Sequence, residues 1–147
     1  MRPLPDANRR YEPGKLSGVA GHAGLFAPVR EVDRIARELI ACYAGRSDFV
    51  PQKIVREFWT RDTTVSGSTW ALGWDTPSIE RSSAGHLLSR NAVGHLGFTG
   101  TSLWIEPESE IAISMLTNRV HPRRDNQAIR EFRPKIHDLI MEAINGG

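Results

Sequence analysis

The stretch VGHLGFTGTSLWIEPESEIAISMLTN, Val93 to Asn118, decides the fold. In SLWIE, Leu103 and Ile105 alternate with Ser102 and Trp104. In EIAISMLT, Ile111, Ile113 and Met115 alternate with Ala112, Ser114 and Leu116. Period-two alternation on both sides of a PESE turn predicts an antiparallel hairpin. Both faces carry apolar residues, so the sheet is expected to be central, with helices covering each side. In front stands HLGFTG, which packs His95, Gly97 and Gly100 into six residues. Glycine weakens a strand unless something must approach its backbone closely.

Upstream of this stretch the period is helical. Val29, Val32, Ile35, Ala36, Leu39, Ile40 and Tyr43 share one face of a helix, with Pro28 suited to its first position and Gly45 to its stop. A shorter helix is predicted from Pro51 to Arg61, burying Ile54, Val55, Phe58 and Trp59. Thr69 to Asp75, TWALGWD, reads as a short strand. Downstream, a helix is expected over about Asn126 to Ile144, burying Ile129, Phe132, Ile136, Leu139, Ile140, Ala143 and Ile144. Pro134 predicts a kink, or a start near Arg133, because a proline inside a helix costs about 3 kcal/mol. The reading is α+β: an antiparallel sheet covered by helices, with the C-terminal helix packed on it.

The 147 residues suit one domain, with residues 1–17 as a loop and 18–147 as its body. Net charge is +2, and lysine occurs only at Lys15, Lys53 and Lys135. No basic stripe interleaved with aromatics is present, which argues against nucleic-acid binding. Cys42 is the single cysteine, so no internal disulfide forms; it lies on the predicted buried face of the first helix. No apolar run reaches bilayer length and the N-terminus has no apolar core, so no membrane association and a cytoplasmic location are expected of the chain as written. The five histidines show no metal-ligand spacing, and neither a metal nor another cofactor is expected.

Five segments occur in a telling order: GVAGHAGLF, LGWD, GHLGFTGTSLWIEPE, LTNRVHP and a terminal helix. Together they resemble the C-terminal part of the β-lactamase-related serine hydrolases, which include class C β-lactamases, D-alanyl-D-alanine carboxypeptidases and some esterases. The resemblance covers about Gly18 to the end and less than half of a typical member. It implies a β-lactamase-like fold that is incomplete here. It also implies that His95, Leu96 and Gly97 stand where the family has Lys-Thr-Gly or His-Thr-Gly beside its active site. By that resemblance His95 supplies a cation or proton donor near the attacked carbonyl, Gly97 leaves room for substrate, and the Phe98 backbone N–H is an oxyanion donor. Thr99, Asn118, Arg123, Arg124 and His22 become candidate substrate contacts. Leu96 departs from the family threonine and lacks its hydroxyl.

A larger departure concerns the nucleophile. The family serine sits in Ser-x-x-Lys, where one helical turn brings the amine to the hydroxyl. The residues three before the three lysines are Glu12, Val50 and Phe132, so no such motif exists here. Tyr-x-Asn is absent too, and the expectation is that the chain begins C-terminal to both motifs. Ser89-Arg90-Asn91 stands in the wrong place for a family motif. Each candidate also has a plainer reading: His95 as a polar strand start, Gly97 and Gly100 as a bend, His22 as turn packing, Asn118 as turn chemistry, and Arg119, His121, Arg123 and Arg124 as a solvated loop. Trp70, Trp74 and Trp104 read as core. Two functions remain open: an active-site wall awaiting the N-terminal half of a hydrolase, with a peptide, β-lactam or ester substrate; or a non-catalytic binding or assembly module that self-associates as a dimer.

Overall fold

The structure, a computed structural model, describes residues 26–146. Three strands form one antiparallel sheet in the order β1-β2-β3: β1 is Val93–Leu96, β2 is Ser102–Glu106 and β3 is Ile111–Met115. Helices α1 (Val29–Tyr43) and α2 (Gln52–Phe58) precede the sheet and α3 (Ile129–Asn145) follows it. The β2–β3 hairpin closes through the expected PESE turn, with Trp104 opposite Ile113 and Ile105 opposite Ala112. Glu110 adopts a φ of 57° there, and Arg46 beyond α1 grips its carboxylate with both terminal nitrogens.

The alternation of β2 divides the core in two, as its two apolar faces require. Ile105 and Val93 pack with Ala36, Ile40 and Cys42 of α1 and with Val55 and Trp59 at α2. Trp59 stacks on Tyr43 at 5.2 Å and meets Trp74 edge-on at 5.8 Å. On the other face Trp104 and Ile113 pack with Ala84, Leu88 and Ala92 and with Met141 of α3. The C-terminal helix therefore does lie on the sheet.

Three expectations are corrected. Residues 69–75 form no strand: Trp70 and Asp75 close on each other as an isolated bridge, with Gly73 at φ 78° turning the chain between them. The segment is a tight loop, because glycine takes that turn readily. In α2, Ile54 and Phe58 are exposed while Val55 and Trp59 are buried, and in α1 Val29 and Ile35 are exposed. The largest correction is α3, whose buried residues are Arg133, His137 and Met141. Phe132, Leu139 and Ile144 of the expected stripe are 51%, 59% and 48% exposed. Helix α3 also begins ahead of Pro134 and carries it inside.

Polar groups set the orientation of α3. Asp138 Oδ1 accepts the backbone N–H groups of His86 (2.6 Å) and Leu87 (3.1 Å), and its Oδ2 lies 3.0 Å from His86 Nδ1. Burial pushes the Asp138 carboxyl up, but these hydrogen bonds outweigh it and leave the group below its ordinary value. Arg133 donates Nη2 to Gly100 O at 2.9 Å, and its buried Nε has no partner among the described residues. Helical spacing at 133, 137 and 141 thus selected the polar face as well as one methionine, which an apolar-stripe reading overlooks.

Candidate active-site wall

Strand β1 is an edge of the sheet, and His95 sits on it with an exposed ring. Its neighbour Gly94 turns its peptide groups away from β2: Gly94 N–H donates to Asp75 O at 2.8 Å, and Asp75 N–H donates to Gly94 O at 2.7 Å. Strand alternation turns Leu96 to the same side. Past Asp75 that edge is unpaired among the described residues, with no backbone hydrogen bond from Leu96 to a segment outside the sheet. The loop that ends in Asp75 also sets Trp70 beside His95, ring centres 6.3 Å apart. Trp70 is 53% exposed, so it belongs to the surface next to His95 and not to the core. That neighbour was invisible to a strand reading of residues 69–75.

Behind His95 the chain makes a tight return. Gly97 N–H donates to Thr101 O at 2.8 Å and Gly100 N–H donates to Gly97 O at 3.0 Å. A side chain on Gly97 would collide with that of Thr101, and Gly100 holds a φ of 99° with Thr117 and Arg119 against it. The glycines after the histidine therefore have a local cause, whatever lies against the strand. The bend leaves Phe98 exposed at its tip.

Arg119 organises the surroundings of this bend, a role with no signal in the sequence beyond its charge. Its Nε donates to Phe98 O at 2.9 Å, its backbone N–H to Thr99 O at 2.8 Å, and its guanidinium lies 5.0 Å from the Phe98 ring centre. Its Nη1 reaches Arg124 O (3.1 Å) and Asn126 O (3.0 Å). Phe98, Thr99 and the backbone at Arg124 are thus brought together. Asn118 is exposed just before Arg119, and its carbonyl accepts from His121 N–H at 3.4 Å. Arg123 pairs with Asp125 through two nitrogens, and both side chains are exposed, so the pair is well screened by solvent. The Arg124 side chain is exposed and forms no hydrogen bond among the described residues. His22 lies outside the described residues. A shallow hollow lies at Pro122, Arg123, Asp125 and Asn126, and neither His95 nor Gly97 lines it.

One serine does meet a histidine: Ser102 Oγ is 3.3 Å from His137 Nε2. His137 Nδ1 is 3.0 Å from Ser83 O, which only accepts, so Nδ1 carries the proton and Nε2 accepts from Ser102. His137 is 0% exposed and Ser102 is buried, so no substrate reaches the pair. Ser89 is likewise occupied, giving its N–H and Oγ to the buried Glu106 carboxylate at 2.7 and 2.8 Å. Among the described residues, no three metal-ligating side chains gather as a metal site would. No helix there is long and apolar enough to cross a membrane.

The β-lactamase family profile matches residues 1–136, and the chain belongs to that family. It is 31% identical over 109 residues to an N-acetylmuramyl-L-alanine amidase of Bacillus subtilis, covering 72% of this chain and 24% of that protein. It is 32% identical over 114 residues to a protein of Salmonella agona named as a D-alanyl-D-alanine carboxypeptidase, covering 72% of this chain and 25% of that one. A β-lactamase crystal structure from Mycobacterium bovis superposes with a TM-score of 0.65 at 19% identity, over 80% of this chain and 44% of the other. The fold is thus β-lactamase-like, and the chain spans about a quarter of the length of these curated relatives.

Proposed function

We propose that this chain is the C-terminal portion of a β-lactamase-like serine hydrolase and forms one wall of its active site. The observation that carries the reading is the exposed His95 on an open strand edge, followed directly by the Gly97–Thr101 bend. A substrate backbone lies along the outer edge of β1 and pairs with its free peptide groups as an added strand. A serine from the N-terminal half of the hydrolase attacks the amide, lactam or ester carbonyl. The Phe98 N–H donates to the oxyanion, and His95 gives a proton to the leaving group. Water then releases the acyl group from the serine. The carboxypeptidase relative and the β-lactamase family match support D-Ala-D-Ala peptides or β-lactams as substrates, and an ester is the third class proposed.

The chain has no Ser-x-x-Lys, so by itself it forms no acyl-enzyme. The test is a chimera in which residues 18–147 replace the matching portion of the Salmonella agona relative. A fluorescent penicillin is expected to label the folded chimera and not the 147-residue chain. Labelling of the chain alone, or a folded chimera that never labels, overturns the reading.

A further inference from the structure

We infer that Arg133 of α3 is a positioning residue for the active-site wall: it holds the Gly97–Thr101 bend by its carbonyls and so keeps the Phe98 N–H fixed and free for an oxyanion. The inference rests on the hydrolase reading above and adds to it a residue that touches no substrate.

The hydrogen bonds of the bend divide unevenly. Each carbonyl from Gly97 to Thr101 has a donor. Gly97 O accepts from Gly100 N–H at 3.0 Å, and Thr101 O accepts from Gly97 N–H at 2.8 Å. Phe98 O accepts from Arg119 Nε at 2.9 Å, and Thr99 O from the Arg119 backbone N–H at 2.8 Å. Gly100 O accepts from Arg133 Nη2 at 2.9 Å, and the same nitrogen lies 3.4 Å from Thr101 O. Among the described residues the Phe98 N–H has no acceptor. Arg119 thus holds the tip of the bend and Arg133 its return. A donor aimed at developing charge works best when its place is fixed beforehand.

Packing alone does not account for Arg133. The residue is buried, and among the described residues it pairs with no carboxylate. Burial, and then the Arg119 charge, pull its pKa below the ordinary 12.5. A buried guanidinium without an anion costs more than a leucine or methionine filling the same space. What it supplies instead is a donor within reach of two successive carbonyls. Helix α3 holds it steady: one turn on, His137 lies between Ser102 Oγ and Ser83 O, and Asp138 binds the His86–Leu87 backbone. Arg133 carries that placement to the bend.

Two measurements test the inference. In the full chain, Arg133→Met is expected to speed amide exchange at Gly97 and Gly100 about tenfold more than at Gly94, whose partner is Asp75, with unchanged circular dichroism. In the chimera with the Salmonella agona relative, the same variant should lower the limiting rate of acylation by penicillin about tenfold to a hundredfold, with the half-saturating concentration moving less than about threefold. A loss of stability alone would shrink the labelled fraction and leave that rate unmoved. Arg133→Lys keeps a donor on a long stem and should come within about fivefold of the unaltered rate. If Arg133→Met does not fold, Arg133→Gln is read in its place with the same expectation. A folded chimera that never labels overturns the hydrolase reading, and this inference with it. A chimera that labels and depends on His95, but acylates as fast with Arg133→Met, overturns the positioning role alone. So does unchanged exchange at Gly97 and Gly100, or a lysine variant as slow as the methionine one.

Discussion

His137 is completely enclosed, and its charge state ties folding to pH. Burial, with help from the Arg133 charge, pulls its pKa below the ordinary 6.5, against opposing pulls from the Ser83 hydrogen bond and Asp138. Unfolding therefore takes up a proton below pH 6.5, and the unfolded chain binds more protons there than the folded one. The contribution is complete above pH 6.5 and is lost as pH falls from there towards the lower folded value. Urea midpoints between pH 7.5 and 5 are expected to drop for the natural chain and to drop less for His137→Gln. Gly100 carries a second prediction at this scale. Alanine there combines a φ of 99° with contacts to Thr117 and Arg119, and should cost about 1–3 kcal/mol in the same measurement. Little of this was legible in the sequence. His95, Gly97 and Phe98 stand out through the family resemblance, but His137, Ser102 and Arg133 carry no motif. Their roles arise only when α3 meets the start of β2.

The elements divide by how far their patterns depend on distant partners. The β2–β3 hairpin has alternation and a turn of its own, and both strands and the turn between them lie where the sequence reading puts them. Helix α1 likewise buries Ala36, Ile40 and Cys42 of its expected face. Helix α3 could not be read so simply, because it has two seams. The apolar one lies along Phe132 and Leu139, and the one that packs holds an arginine, a histidine and a methionine. Hydrophobic periodicity finds the first and misses the second. Asp138 fixes which seam faces inward through three contacts to residues 86–87. Asp138→Ala should therefore cost about 1.5–3 kcal/mol, the range for hydrogen bonds to a charged group. Thermal melts and amide exchange at His86 and Leu87 check this, with exchange rising first at those two residues.

At the scale of the molecule, family membership was legible because several segments appear in one order, even though each alone is weak. The loop at Trp70 to Asp75 completes that picture, placing an exposed indole beside His95. The chimera with the Salmonella agona relative joins the proposed wall to the N-terminal portion of that protein. In it His95→Ala is expected to slow acylation by penicillin about 10²-fold, the loss typical of one positioned proton donor, with folding unchanged. His95→Lys should recover most of that rate, since a lysine there also places a proton donor on the strand edge. Equal acylation rates for His95→Ala and the unaltered chimera would contradict the proposal that this strand edge is the wall of the active site.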